Sequence, residues 1–278
     1  MSGYLTRLSA KLVHATTHLD RAYLRSDRLR SLLVLAFASD DFLEEYCRCA
    51  YNSQPSYDAG SSAFRSGLFG WEDRTIRQFF PPPPARILLG GAGGGREAFA
   101  LVEMGYSVVA FDPAEGPVAS MLEKARGEYA GKLDAYLATY EDLPTVPATA
   151  DRERVDLRQL APFDAAIFGW GSFSHLIHDS TRVAALTAVG QLTQGPVLVS
   201  YFWNAAHDTT PPAGSGPLNA LRRRALRRES AFFAPSLGYA RNVSETDMQD
   251  MAGRAGLEVV HLDNETGWPH AIVRRLAG

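Results

Sequence analysis

Cysteine is nearly missing from this chain: 278 residues carry two thiols, Cys47 and Cys49, one residue apart. A disulfide across one residue is strained, and a lone C-x-C is at most half a metal site. The pair reads as ordinary thiols of a reducing compartment, and a cytoplasmic protein is expected. Excess charge of one sign is also missing. Lys and Arg number 28 against 31 Asp and Glu, a formal net charge of -3. No global field therefore draws the chain to nucleic acid or an anionic membrane. No apolar run reaches the length of a membrane span. The N-terminal stretch lacks the apolar centre and cleavage site of a signal peptide, so no membrane partner is expected.

What is present is a large apolar fraction, 46%, enough for a sizeable core. The clearest boundary is Pro81-Pro82-Pro83-Pro84, a stiff extended spacer. Residues 1–80 read as mostly helical, with Leu32, Leu33, Leu35, Ala36, Phe42 and Leu43 at roughly helical spacing. Beyond the prolines, short apolar strands alternate with helices. Strands are expected at Arg86–Leu89, Ser107–Phe111, Ala135–Thr139, Ala165–Phe168 and Pro196–Phe202. Helices are expected at Arg96–Met104, Pro117–Ala130 and Thr181–Leu192. This texture implies a parallel sheet covered on both faces. Near the end, Ser244-Glu245-Thr246-Asp247 resembles a capping box. Two strand-like pieces, Leu257–Leu262 and His270–Leu276, follow without a helix between them and should pair antiparallel at the sheet edge.

The stretch ARILLGGAGGGREAFA places Gly90, Gly91, Gly93, Gly94 and Gly95 between the first strand and its helix. That loop lies at the carboxyl edge of the sheet, where ligands bind. Glycine permits positive φ and close approach to backbone, and the helix start offers free N–H groups. Asp112 ends the second strand, placed to accept from both hydroxyls of a ribose. A nucleoside-containing cofactor is expected. Gly93-x-Gly95-x-x-Ala98 fits a dinucleotide pattern, whereas Gly91-x-Gly93-x-Gly95 fits an S-adenosylmethionine pattern that starts nearer the strand.

Residues 85–278 resemble the class I S-adenosylmethionine-dependent methyltransferases through ILLGGAGGG, VVAFDP, TYEDLP, FDAAIFGWGSFSHL and AGLEVV…WPHAIVRRL. The resemblance implies a Rossmann-like, doubly wound seven-stranded α/β sheet with an antiparallel last strand. Residues 1–80 would be the helical cap of a small-molecule enzyme. The cofactor implied is S-adenosylmethionine. Its methionine part would lie on Gly91, Ala92, Gly93 and Gly95, and its ribose on Asp112 beside Pro113. Its adenine would lie near Glu141 and Asp142, and Gly169 and Trp170 would flank the methionyl end. Two positions depart from the family pattern. Leu89 stands where an acid is common, so backbone carbonyls or a group from residues 1–80 would hold the cofactor's ammonium. Thr139 stands where a second acid is common, so adenine recognition would rely on Asp142 and backbone.

The acceptor is expected to be a small molecule, with oxygen slightly favoured over nitrogen because a base is at hand. His175, just past the fourth strand, is that candidate, with a titration near neutrality. His207 is a weaker candidate, in a Gly- and Pro-rich lid after the fifth strand, and His178 could share a face with His175. Tyr57–Trp71 should lie over the cofactor, with Arg65 as a contact. No metal site is expected. The run LRRRALRRES reads as a solvated helix face rather than a nucleic-acid site, since it lacks interleaved aromatics. The alternatives are an NAD(P)-dependent oxidoreductase, a nonenzymatic S-adenosylmethionine-binding protein and a nucleic-acid methyltransferase. A monomer and a homodimer are equally compatible with the sequence.

Overall fold

The computed structural model describes residues 23–53, 61–127, 129–147, 154–203, 216–228, 230–264 and 267–276. Its centre is a seven-stranded sheet. The first three strands are β1 (Arg86–Gly90), β2 (Ser107–Asp112) and β3 (Leu133–Leu137), all parallel. On the other side of β1 lie β6 (Ala165–Phe168) and β7 (Val197–Ser200), again parallel. The edge is made by β11 (His270–Arg275), antiparallel to β7, and β10 (Leu257–Asp263), antiparallel to β11. The order is β10-β11-β7-β6-β1-β2-β3. The expected antiparallel end is thus present, with the last strand inserted beside β7 and β10 outermost.

Strand alternation divides the core in two. Ile87 and Leu89 of β1 face α4 (Gly70–Phe79), α5 (Arg96–Glu103) and α6 (Glu115–Ala125), among Trp71, Ile76, Leu101 and Met121. Leu88 faces the opposite layer, built by α8 (Asp179–Leu192) and α10 (Glu245–Arg254) through Leu186, Val189, Met248 and Met251. Each fully buried apolar side chain contributes about 1.5–3 kcal/mol relative to exposure. The expected capping box opens α10. Ser244 Oγ accepts from the Asp247 N–H while the Asp247 carboxylate accepts from the Ser244 N–H.

Some boundaries shift. The helix expected at Pro117–Ala130 runs Glu115–Ala125, because proline suits the first turn, whose N–H groups lack intrahelical partners. The third strand begins at Leu133, set by pairing with Val108. Two hairpins were not anticipated: β4 (Thr145–Pro147) with β5 (Arg154–Asp156), and β8 (Ala231–Ala234) with β9 (Gly238–Arg241).

A second, smaller core joins segments distant in sequence. A helix over residues 23–37, α1, and α2 (Asp40–Asn52) pack against α9 (Pro217–Ala225) and the β8–β9 hairpin. Their small core joins Leu35, Ala36 and Leu43 to Ala225, Phe233 and Tyr239. By contrast α4, although it precedes the prolines, is built into the main core through Trp71 and Ile76. The remaining short helices are α3 (Ser62–Arg65) and α7 (Ser172–His175).

Part of the arginine run is not a free solvated face. Arg224 Nε donates to the Ala36 carbonyl at 2.5 Å. Arg228 donates to Leu35 and Ala38 carbonyls at 3.1 and 2.7 Å and to Asp40 at 2.5 Å. These carbonyls are the unpaired acceptors at the end of α1, which cations satisfy well.

Candidate active site

The glycine loop leaves β1 at the carboxyl edge, with Gly91, Gly93 and Gly95 at φ 67°, 53° and 94°. A side chain at Gly91 would also meet Ser172, whose Cβ lies 2.3 Å from where a Cβ would sit. The loop is tied to the second strand. Asp112 Oδ2 accepts from the Gly93 N–H at 2.8 Å, and Oδ1 accepts from the Ala114 N–H at 2.9 Å. Burial nevertheless pushes the Asp112 carboxyl up to about 6, the two N–H groups opposing the shift.

Against this edge lies a cleft of about 210 Å³. It gathers Gly91, Gly93, Asp112, Pro113, Glu141, Trp170 and His175, seven of the residues singled out from sequence. The other four stand behind it. Ala92 is buried, and its N–H donates to the Phe111 carbonyl. Gly95 is the N-cap of α5, where a Cβ would press on Met121. Gly169 donates its N–H to the Gly90 carbonyl at 2.7 Å, and a Cβ there would sit 2.5 Å from the Gly91 oxygen. Asp142 accepts from the Thr139 N–H and hydroxyl, closing a short turn. These four therefore shape the loops rather than line the cleft.

Tyr140 is the floor of the site. Its ring stacks on Phe168 with centroids 4.6 Å apart, and its hydroxyl bonds Ser172 at 2.8 Å. The opposite wall comes from α2, which contributes Glu44, Cys47, Arg48 and Tyr51. Glu44 is raised above its ordinary value, by burial first and by Glu141 second. Nothing local in the sequence marks these α2 residues; only the amphipathic spacing of the helix hints that one face is covered.

His175 is partly buried and held between two partners. Its Nδ1 lies 2.7 Å from the Tyr239 carbonyl, which only accepts, so Nδ1 carries the proton. Its Nε2 lies 2.7 Å from the Tyr51 hydroxyl, which donates to it. Burial pushes the imidazole down to about 4. The expectation of a base titrating near neutrality is therefore corrected: the ring is neutral at pH 7, and its free nitrogen already accepts from tyrosine.

Other expectations fall elsewhere. His178 is exposed and bonds Asp40 at 2.9 Å. Arg65 is exposed and does not line the cleft. Trp71 lies in the core. Tyr201 is buried, while Phe202 packs on the His175 ring. His207, the lid that would hold it and residues 54–60 lie outside the described residues. Among the described residues no three His, Cys, Asp or Glu are grouped to hold a metal, and no helix is long and apolar enough to cross a membrane.

The sheet is Rossmann-like, and its strand order differs from the all-parallel dinucleotide sheet by its antiparallel insertion. The chain matches no family model and no curated relative by sequence. Its fold is similar to that of solved methyltransferases. The CcbJ methyltransferase from Streptomyces caelestis is 16% identical, with a TM-score of 0.54 over 84% of this chain and 98% of the other. The Burkholderia thailandensis 1,6-didemethyltoxoflavin-N1-methyltransferase, solved with that acceptor and S-adenosylhomocysteine, is 17% identical. Its TM-score is 0.57 over 85% of this chain and 89% of the other. Magnesium protoporphyrin IX methyltransferase (ChlM) from Synechocystis PCC 6803, solved with S-adenosylmethionine, is 14% identical. Its TM-score is 0.52 over 86% of this chain and 100% of the other.

Proposed function

We propose that the protein transfers a methyl group from S-adenosylmethionine to a small-molecule acceptor, with α1 and α2 forming the cap over the reaction. The observation that carries this is the convergence of the glycine loop, Asp112 and Glu141 on one cleft walled by α2. The residues fit the cofactor. Asp112 offers carboxylate lone pairs to ribose hydroxyls, the Tyr140 and Phe111 side gives apolar cover for adenine, and Glu141 can accept from an exocyclic amine. The bound cofactor supplies an electrophilic methyl on a sulfonium.

This chain's residues then have to place the acceptor in line and exclude water, which can supply much of the rate. Tyr51 is the cleft residue best placed to receive an acceptor hydroxyl, through a lone pair of its own oxygen. His175 orients it by accepting the Tyr51 proton in a hydrogen bond. The low basicity of His175 assigns it to positioning Tyr51 rather than to storing a proton. The oxidoreductase reading is disfavoured by the antiparallel edge, and the cap argues for a small acceptor rather than a nucleic acid.

Calorimetry of the full chain with S-adenosylhomocysteine, NAD and NADP tests the cofactor. Binding of the first alone supports the reading; binding of a nicotinamide cofactor alone would overturn it. Labelled methyl transfer across a panel of phenols, alcohols and amines then identifies the acceptor atom.

A further inference from the structure

Glu72 of α4 and Arg96 and Glu97 at the start of α5 form a buried cluster of charges. Arg96 Nη2 donates to Glu72 at 2.6 Å and to Glu97 at 2.7 Å. Its Nη1 donates to Glu72 at 2.7 Å and to the Gly67 carbonyl at 2.8 Å. The three side chains are 4–7% exposed. Two carboxylates face one guanidinium, which leaves one negative charge in excess. Such an excess is costly out of water unless a further cation joins it. The N–H groups of Phe69 and Trp170 point at Glu72 and Glu97, at 2.6 and 3.4 Å, but they bring dipoles and no charge. Burial accordingly pushes Glu72 up to about 7.

A second observation points to a polar group beside the cluster. A chamber of about 10 Å³ adjoins the cluster, lined by Trp71, Glu72, Glu97, Trp170 and Ser200 among others. That is room for one water-sized polar group. Trp71 Nε1, on its wall, is buried with no hydrogen-bond partner; as a donor it calls for an acceptor in the chamber, such as a water or a carboxylate oxygen of the cofactor's amino-acid end. Trp170 walls both the chamber and the main cleft, and its N–H faces Glu97. Leu89, near the end of β1, is fully buried in the apolar layer under α5 and offers the cofactor no charge.

We propose that this cluster, with Glu97 as the contacting carboxylate, receives the ammonium of the cofactor's amino-acid end. The inference rests on the S-adenosylmethionine reading above. Ammonium binding would bring the cluster to two negative and two positive charges, each hydrogen-bonded.

Calorimetry with two probes tests it. S-adenosylhomocysteine carries the amino-acid end; 5′-methylthioadenosine lacks it and keeps the nucleoside. In Glu97→Gln the affinity for S-adenosylhomocysteine should fall roughly 30-fold or more, the effect of losing one partner of a buried charged hydrogen bond. The affinity for 5′-methylthioadenosine should be unchanged. The melting temperature should hold or rise, because the variant leaves Glu72 and Arg96 as a balanced pair. A purely structural cluster would instead lower the melting temperature and weaken both probes alike. Retained S-adenosylhomocysteine affinity, or equal loss of both probes, overturns the proposal. If Glu97→Gln does not fold, Glu72→Gln removes the same excess charge, and its selective or unselective effect on the two probes decides in the same way. A parent protein that binds neither probe removes the cofactor reading itself; one that binds both, with unselective variants, overturns this inference alone.

Discussion

The carboxylate of Asp112 reaches back to the backbone N–H of Gly93 at 2.8 Å and ties the glycine loop to the end of β2. The residue therefore does two jobs, holding the loop and facing the cleft. Asp112→Ala should weaken S-adenosylhomocysteine binding by about 1.5–3 kcal/mol, the loss of charged hydrogen bonds. Unchanged calorimetric affinity in the folded variant would count against the assignment. The folded carboxyl sits at about 6, above its ordinary 3.8. Its contribution to stability is therefore full below 3.8 and is lost as pH rises through 6. Ligand affinity should run the other way, falling as pH drops through 6 and the acceptor is protonated.

His175 gives the opposite pH signature. Its folded value of about 4 lies below the ordinary 6.5. The neutral, doubly bonded ring then stabilises the fold above pH 6.5, and that contribution is lost as pH falls toward 4, about 3 kcal/mol in all. His175→Gln cannot ionise, so the stability gap between parent and variant should narrow steadily from pH 7 to pH 4.5 in denaturant melts. A constant gap would show that the ring is not held neutral. In turnover, no inflection near 6.5 should be traceable to this residue.

Ile76 is 1% exposed and packs under the sheet although it precedes the proline spacer. Ile76→Ala should cost about 2–5 kcal/mol. A chain starting at residue 81 would lack Trp71 and Ile76 together and should fail to fold. Loss of activity on that truncation would therefore say nothing about the cap. Cooperative unfolding of the truncated chain with a parent-like midpoint would refute this placement of α4.

Arg228 closes the end of α1 through Leu35, Ala38 and Asp40. Arg228→Ala should destabilise the protein by about 1–3 kcal/mol, since three acceptors lose their donor. RNA or DNA titrations at physiological ionic strength should show no tight, salt-sensitive binding in the parent. Strong binding abolished by Arg228→Ala with an unchanged melting temperature would reverse the assignment.

What the sequence determined by itself was local and periodic. The strand–glycine loop–helix–strand–acid order located Gly91, Gly93 and Asp112 at one sheet edge, because glycine tolerance of positive φ and the period-two apolar runs are written in neighbouring residues. The unhelixed terminal pair likewise announced the antiparallel edge. What only the tertiary structure decided lay in contacts between distant segments. Tyr51 and His175 are 124 residues apart, and Glu72 and Arg96 are 24 apart. No local pattern records that they meet. The proline spacer suggested a domain boundary, yet the apolar face of α4 crossed it to cover the sheet. His175 looked like a neutral-pH base from its place after β6. Its basicity was lowered instead by burial, against the opposing pull of the Tyr239 carbonyl, through desolvation that depends on everything packed around the ring.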